Sequence, residues 1–241
     1  MHLYPALITF TTYSFMLLPI NNVLDKKTVE QFRTALDKTT WEDGKITAGG
    51  QAKQVKVNQQ IQDQSDLAIE LGNHILKVLG RHPQFLSAAL PKKIFPPKFN
   101  RYNNADHYGP HVDNAIMHLP DHQIMRTDLS CTLFLSDPKE YDGGELVIET
   151  TYGAQQVKLA AGDLILYPST SLHQVLKVTK GARVCSFFWL ESMIRDNQQR
   201  EMLYTLDQSI QTLTIERGAD DNEVRHLTGI YHNLIRLWAS S

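Results

Sequence analysis

Of the ten histidines in the chain, one alone is followed two residues later by aspartate, in His111-Val112-Asp113. With 10 His and 16 Asp in 241 residues, chance supplies about 0.7 such triplets, so the triplet carries little by itself. Placement gives it weight. Residues i and i+2 of a strand point to the same face, which lets an imidazole and a carboxylate converge on one ion. His173 follows the run LILYPSTSL about sixty residues downstream, and it could close the set from a different strand. Two neutral imidazoles and a carboxylate on one face of an octahedron suit non-haem Fe(II), with positions left for water, a cosubstrate and dioxygen.

Arg183 stands ten residues after His173, across the turn from Thr179 to Gly181. If the chain reverses there, Arg183 comes back beside Val178, roughly 16 Å deeper than His173 at ~3.3 Å per residue. A guanidinium offers a bidentate fork to a carboxylate. An extended arginine and a five-carbon dicarboxylate can span such a gap. With that reversal, Arg183 would fix the distal carboxylate of 2-oxoglutarate while its 2-oxo acid end chelates the metal. A buried arginine without a partner is expensive, and that cost favours an anionic ligand over an empty pocket.

The other histidines are read as structural. His107 breaks the i, i+2 geometry, and His118 and His122 have the spacing of a helical metal pair but enclose Pro120, which argues for a surface loop. His74, His226 and His232 fall on helical segments. Phe187, Phe188 and Trp189 read as barrel core.

The elements that must position these residues are legible from periodicity. In LDKKTVEQFRTAL, Asp25 is a helix N-cap, Leu24 and Val29 form a hydrophobic staple, and Val29, Phe32 and Leu36 share a face. A second helix starts near Ser65, with Leu67, Leu71, Ile75 and Val78 on one side, and Pro83 opens a short continuation. Between about Ile94 and Leu190 the texture becomes β. LSCTLFL, ELVIET, QQVKLA, DLILYP, HQVLKV and ARVCSFFWL recur at roughly ten-residue intervals between turn signals, as in a double-sheet jelly roll. After Trp189 the helical period returns from Ile194, and two helices joined by Glu216 to Asn222 should pair antiparallel. The expected organisation is an extension over 1–15, an N-terminal strand and supporting helices over 16–93, a jelly-roll core over 94–191 and a helical region over 192–241.

Composition narrows the classes. Lys+Arg total 24 against 26 Asp+Glu, and the only basic runs are Lys26-Lys27 and the stretch from Pro91 to Lys98, so a nucleic-acid partner is not expected. Cys131 and Cys185 stand alone in apolar runs without a CxxC, which points away from disulfides and structural zinc and towards the reducing cytoplasm. The first twenty residues are apolar, yet they lack the positive n-region of a signal peptide. Pro5, Pro19 and several hydroxyl residues interrupt them, so neither a membrane span nor a membrane partner is expected. Met16 is read as a start, with MLLPI the first strand.

Four segments together, RYNNADHYGPHVDN, YDGGELVIE, GDLILYPSTSLHQV and KGARVCSFFWLESMIRD, resemble the PKHD-type hydroxylases. These are bacterial iron- and 2-oxoglutarate-dependent dioxygenases related to prolyl 4-hydroxylases. The resemblance covers nearly everything from Met16 onward. It implies a mainly β fold with flanking α elements, built on a double-stranded β-helix. It implies His111, Asp113 and His173 as the Fe(II) ligands and catalytic centre, and Arg183 as the 2-oxoglutarate anchor. Tyr102 and Tyr108 match tyrosines that precede the motif in prolyl-hydroxylase relatives, so Tyr102 could touch 2-oxoglutarate. Where some relatives carry a tyrosine on the next strand, this chain reads Leu133-Phe134. The family also implies L-ascorbate as a reductant and a link to iron homeostasis.

A jelly roll with the same metal set could instead be a cupin-like metalloenzyme that does not use 2-oxoglutarate, or a non-catalytic iron or 2-oxoglutarate sensor. Arg183 separates the first of these, because its loss should matter only if 2-oxoglutarate binds. The hydroxylation substrate is open between a small molecule and a peptide, since fold and iron site do not identify it. The C-terminal helices could cap the barrel, recruit substrate or form a homo-oligomer interface.

Overall fold

The computed structural model describes residues 17–47 and 53–240. The expectations about Met16 and residues 1–15 lie outside the described residues. Helix α1 (Lys26–Asp37) is capped as its sequence predicts: the Asp25 carboxylate accepts from Thr28 N at 2.7 Å, and Val29, Phe32 and Leu36 are buried. Helix α2 (Asp66–Leu79) starts from the Ser65 cap and buries Leu71, Ile75 and Leu79. Pro83 opens α3 (Pro83–Ala89), which ends at Leu90 in the left-handed region. All three pack into one core with Leu129, Leu133, Leu164 and Leu190 of the sheet behind them. Each such fully buried side chain contributes about 1.5–3 kcal/mol.

The large sheet runs in the order β1 (Leu18–Ile20), β14 (Leu164–Pro168), β10 (Leu129–Phe134), β17 (Arg183–Ser192), β6 (Lys98–Tyr102), β4 (Gln59–Gln60) and β2 (Glu42–Asp43). A further strand, β5 (Pro91–Ile94), also pairs with β17. The second sheet runs β13 (Gly153–Val157), β12 (Leu146–Thr150), β15 (His173–Val175), β7 (His107–His111) and β3 (Lys56–Val57). Two ribbons complete the β structure: β8 (Ile116–His118) with β9 (Ile124–Arg126), and β11 (Tyr141–Gly143) with β16 (Val178–Gly181). All pairings are antiparallel. The protein is thus mainly β, with five α-helices among the described residues.

Local readings are refined in several places. The run HQVLKV is two strands in two different sheets, because β15 joins β7 and β12 while β16 turns away to β11. The strand assigned to QQVKLA begins earlier, at Gly153, whose φ of +107° sharpens the turn from β12. His118 and His122 lie exposed, as expected of a surface loop, His118 at the end of β8 and His122 in the turn that leads to β9. Ile194 is fully buried but precedes the helix, since β17 continues to Ser192. Helix α4 (Asn197–Arg217) starts from the Asp196 cap and packs on α3 and on α5 (Asn222–Trp238), itself capped by Asp221. Among the described residues no helix is long and apolar enough to cross a membrane.

Candidate metal and cosubstrate site

The two sheets face each other across a cavity of about 100 Å³ lined by His111, Asp113, His173, Tyr102 and Arg183. His111 ends β7 and His173 begins β15, and the two are register partners. Their ring centroids are 4.2 Å apart. Each imidazole is oriented by its own backbone: His111 Nδ1 lies 2.8 Å from Gly109 O, and His173 Nδ1 lies 3.0 Å from Ser171 O. A carbonyl can only accept, so Nδ1 carries the proton and Nε2 is left with a free lone pair. Both Nε2 atoms approach Asp113, at 4.0 Å from Oδ1 and 3.8 Å from Oδ2. One ligand atom from each residue lies within 4.8 Å of the other two, a set that could hold a metal ion. Asp113 corrects the strand argument in one respect: β7 ends at His111, so the carboxylate reaches the site from the segment just after the strand.

Burial and the neighbouring His173 push the pKa of His111 down to about 4, so its imidazole is neutral at pH 7, as metal ligation requires. The Tyr108 ring stacks on it at 3.6 Å between centroids. Two serines that sequence reasoning missed complete the support. Ser130 Oγ on β10 donates to Asp113 Oδ2 at 2.6 Å, and Ser169 Oγ lies 2.8 Å from Ser130 Oγ.

Arg183 is 1% exposed. The chain does not form a hairpin at Gly181. It crosses to the large sheet, where Arg183 pairs with Tyr102 at the end of β6. Arg183 nevertheless stays near Val178, since both border the space above Gly144. Its guanidinium lies 5.3 Å from the Tyr102 ring and 5.2 Å from the Phe134 ring, and Nη1 donates to Cys185 Sγ at 3.0 Å. Arg183 Nε is buried with no hydrogen-bond partner among the described residues. A thiol is a weak acceptor for a buried cation, so this corner fits an incoming carboxylate. Phe134 supplies an aromatic face to this corner.

Tyr102 is 2% exposed, and its hydroxyl accepts from Asn100 Nδ2 at 3.4 Å. Burial pushes the phenols of Tyr102, Tyr108 and Tyr167 up, so each is a neutral hydrogen-bond donor. Lys56 also lines the cavity. An alternating reading of VKVNQQ, with Lys56 and Asn58 on one face, is the sequence signal that could have found it.

Comparison with known proteins agrees with this geometry. Residues 97–191 match the 2OG-Fe(II) oxygenase superfamily and residues 197–240 the PKHD-type hydroxylase C-terminal domain. A PKHD-type hydroxylase of Pseudoalteromonas atlantica is 61% identical over 226 residues, 93% of this chain and 100% of that relative. The chain belongs to the PKHD-type hydroxylase family. A second PKHD-type hydroxylase, from Acidovorax ebreus, is 58% identical over 93% of this chain and 99% of its own length. Two solved structures share the fold at low identity. A prolyl-4-hydroxylase of Pseudomonas putida has a TM-score of 0.53 and 18% identity over 74% of this chain and 94% of its own. The carbocyclase SnoK from nogalamycin biosynthesis has a TM-score of 0.54 and 14% identity over 75% and 81%. As a PKHD-type hydroxylase the protein is an oxidoreductase that uses Fe(II), 2-oxoglutarate and dioxygen to hydroxylate a substrate.

Proposed function

We propose that His111, Asp113 and His173 hold the Fe(II) of this hydroxylase and that Arg183 anchors the distal carboxylate of 2-oxoglutarate, with Tyr102 beside it. The observation that carries the reading is the convergence of three ligand atoms within 4.8 Å in the same cavity as a buried, under-partnered arginine. Bound iron and 2-oxoglutarate supply oxidative decarboxylation coupled to hydroxylation, with succinate and carbon dioxide as co-products. The chain supplies the rest. Gly109 and Ser171 carbonyls fix the imidazole tautomers, Ser130 holds the second carboxylate oxygen of Asp113, and the Arg183 fork orients the cosubstrate. Tyr102 and Leu146 keep the inner end of the cavity dry.

The same reading takes the two facing sheets as a double-stranded β-helix over 94–191. The elements of 16–93 support it, and α4 with α5 form a helical hairpin over 192–241. Two buried free thiols, Cys131 and Cys185, support a reducing, cytoplasmic location. Ascorbate belongs to the reading as an accessory reductant. The exposed apolar residues Ile230 and Leu237 of α5 support a homo-oligomer contact through the C-terminal helices. Metal titration tests the centre: the parent binds one Fe(II) or Zn(II) per chain, and equal binding by Asp113→Ala would contradict the assignment.

A further inference from the structure

Of the buried side-chain nitrogen and oxygen atoms without a hydrogen-bond partner among the described residues, two belong to residues that line the cavity: Arg183 Nε and Asn100 Oδ1. Arg183 has its task in the reading above. Asn100 has none there, although it is 4% exposed. A carboxamide offers two N–H donors and two acceptor lone pairs. The Asn100 side chain makes one contact among the described residues, from Nδ2 to the Tyr102 hydroxyl at 3.4 Å, which is long for a hydrogen bond. Buried polar capacity left unmet is costly, so this amide favours a ligand that supplies a partner.

Its position follows from strand register. Lys98, Asn100 and Tyr102 alternate along β6, and all three line the cavity. On the neighbouring strand β17, Arg183 pairs with Tyr102 and Cys185 pairs with Asn100. The four side chains form one block on the cavity face of the large sheet, with Arg183 Nη1 in contact with Cys185 Sγ at 3.0 Å. Asn100 and Arg183 are diagonal neighbours in this block, and a diagonal of about 7–8 Å is within reach of long side chains. A carboxylate has about four lone-pair sites, of which an arginine fork fills two. Of the side chains against Arg183, Cys185 is a weak donor and Phe134 has no donor. Tyr141 also adjoins Arg183 but does not line the cavity. Within the block, the donors left for the remaining sites are the Tyr102 hydroxyl and the Asn100 amide.

We propose that Asn100 is a further 2-oxoglutarate-binding residue: its side-chain N–H donates to the distal carboxylate that Arg183 holds. This rests on the assignment of that carboxylate to Arg183. One arginine already balances the single charge there, so the added partner needs a donor and no charge of its own.

The test uses full-length protein loaded with redox-silent Zn(II), with binding followed by calorimetry and ligand-observed NMR. The probes are 2-oxoglutarate and 2-oxopentanoate, in which a methyl group replaces the distal carboxylate. Asn100→Leu removes the donor at similar volume, and Asn100→Asp replaces it with an acceptor. In both variants the preference for 2-oxoglutarate over 2-oxopentanoate is expected to fall about 10- to 100-fold, as loss of a hydrogen bond to a charged group implies. Binding of 2-oxopentanoate itself stays that of the parent, whereas a merely structural role would weaken both probes alike. A preference retained in both variants, or equal losses for the two probes, would overturn the proposal. Asn100→Ala takes the place of either variant that does not fold, with the same expectation. A parent without that preference would instead overturn the assignment of Arg183, and this proposal with it.

Discussion

Ser130 Oγ donates a 2.6 Å hydrogen bond to Asp113 Oδ2, joining β10 of the large sheet to the segment that follows β7 of the other. Ser130 has one proton to give, so Ser169, 2.8 Å away, serves as donor to Ser130. The carboxylate is thereby oriented by a relay that crosses the cavity. Ser130→Ala is predicted to lower metal affinity by about 10- to 100-fold, as outer-shell changes do, with the fold retained. Ser169→Ala should act in the same direction and less strongly. Competition with a chromophoric chelator measures both, and unchanged affinity in Ser130→Ala would remove the relay from the account.

Removing the carboxylate itself is more severe. Asp113→Ala is predicted to lose Fe(II) binding and succinate production together, beyond the about 100-fold loss given by outer-shell changes. The far-ultraviolet circular dichroism should match the parent, since Asp113 contributes no backbone pairing. Retained turnover at limiting iron would reject the ligand assignment.

Gly144 has φ +68°, and a Cβ there would meet Val178 Cγ2 at 2.9 Å, Tyr141 Cε2 at 3.1 Å and Arg183 Cδ at 3.2 Å. Gly144→Ala combines backbone strain with a push on the arginine. It is predicted to cost about 1–3 kcal/mol of stability and to weaken 2-oxoglutarate about tenfold through misplacement of the anchor. Thermal unfolding and a 2-oxoglutarate titration read the two effects separately.

The metal-free protein should be acid-sensitive. The pKa of His111 is held at about 4 in the folded state against an ordinary 6.5, chiefly by burial. Between those values the unfolded chain binds the proton and the folded one does not, so unfolding free energy falls as pH falls. Stability is full above about pH 6.5 and is lost towards pH 4. Urea unfolding of parent and His111→Gln across that window measures the difference, and parallel curves would contradict it.

The sequence exposed the residues whose spacing encodes geometry. His111, Asp113, His173 and Arg183 do line one cavity, although Asp113 lies just past the end of β7 and Arg183 arrives by a crossing to the large sheet rather than by a hairpin. The caps at Asp25 and Ser65 were equally legible, because capping is local. Ser130 and Ser169 were not, since each looks like an ordinary polar residue in or beside a strand and their meeting depends on the pairing of β10 with β14. Lys56 was hidden for a related reason: in VKVNQQ the charged residue is buried and Val57 is exposed, the reverse of what the residue types suggest. The division of HQVLKV between two sheets likewise depends on which distant strand offers each half its hydrogen bonds.

The proposed site joins the metal set and the 2-oxoglutarate-binding arginine in one cavity. Anaerobic titration of 2-oxoglutarate into the Fe(II)-loaded protein, followed by the visible metal-to-ligand charge-transfer band, tests it with Arg183→Leu in parallel. A saturable band is expected in the parent, with a shift of about 100-fold to higher 2-oxoglutarate in the variant. No band with iron demonstrably bound, or coincident curves for the two proteins, would contradict it.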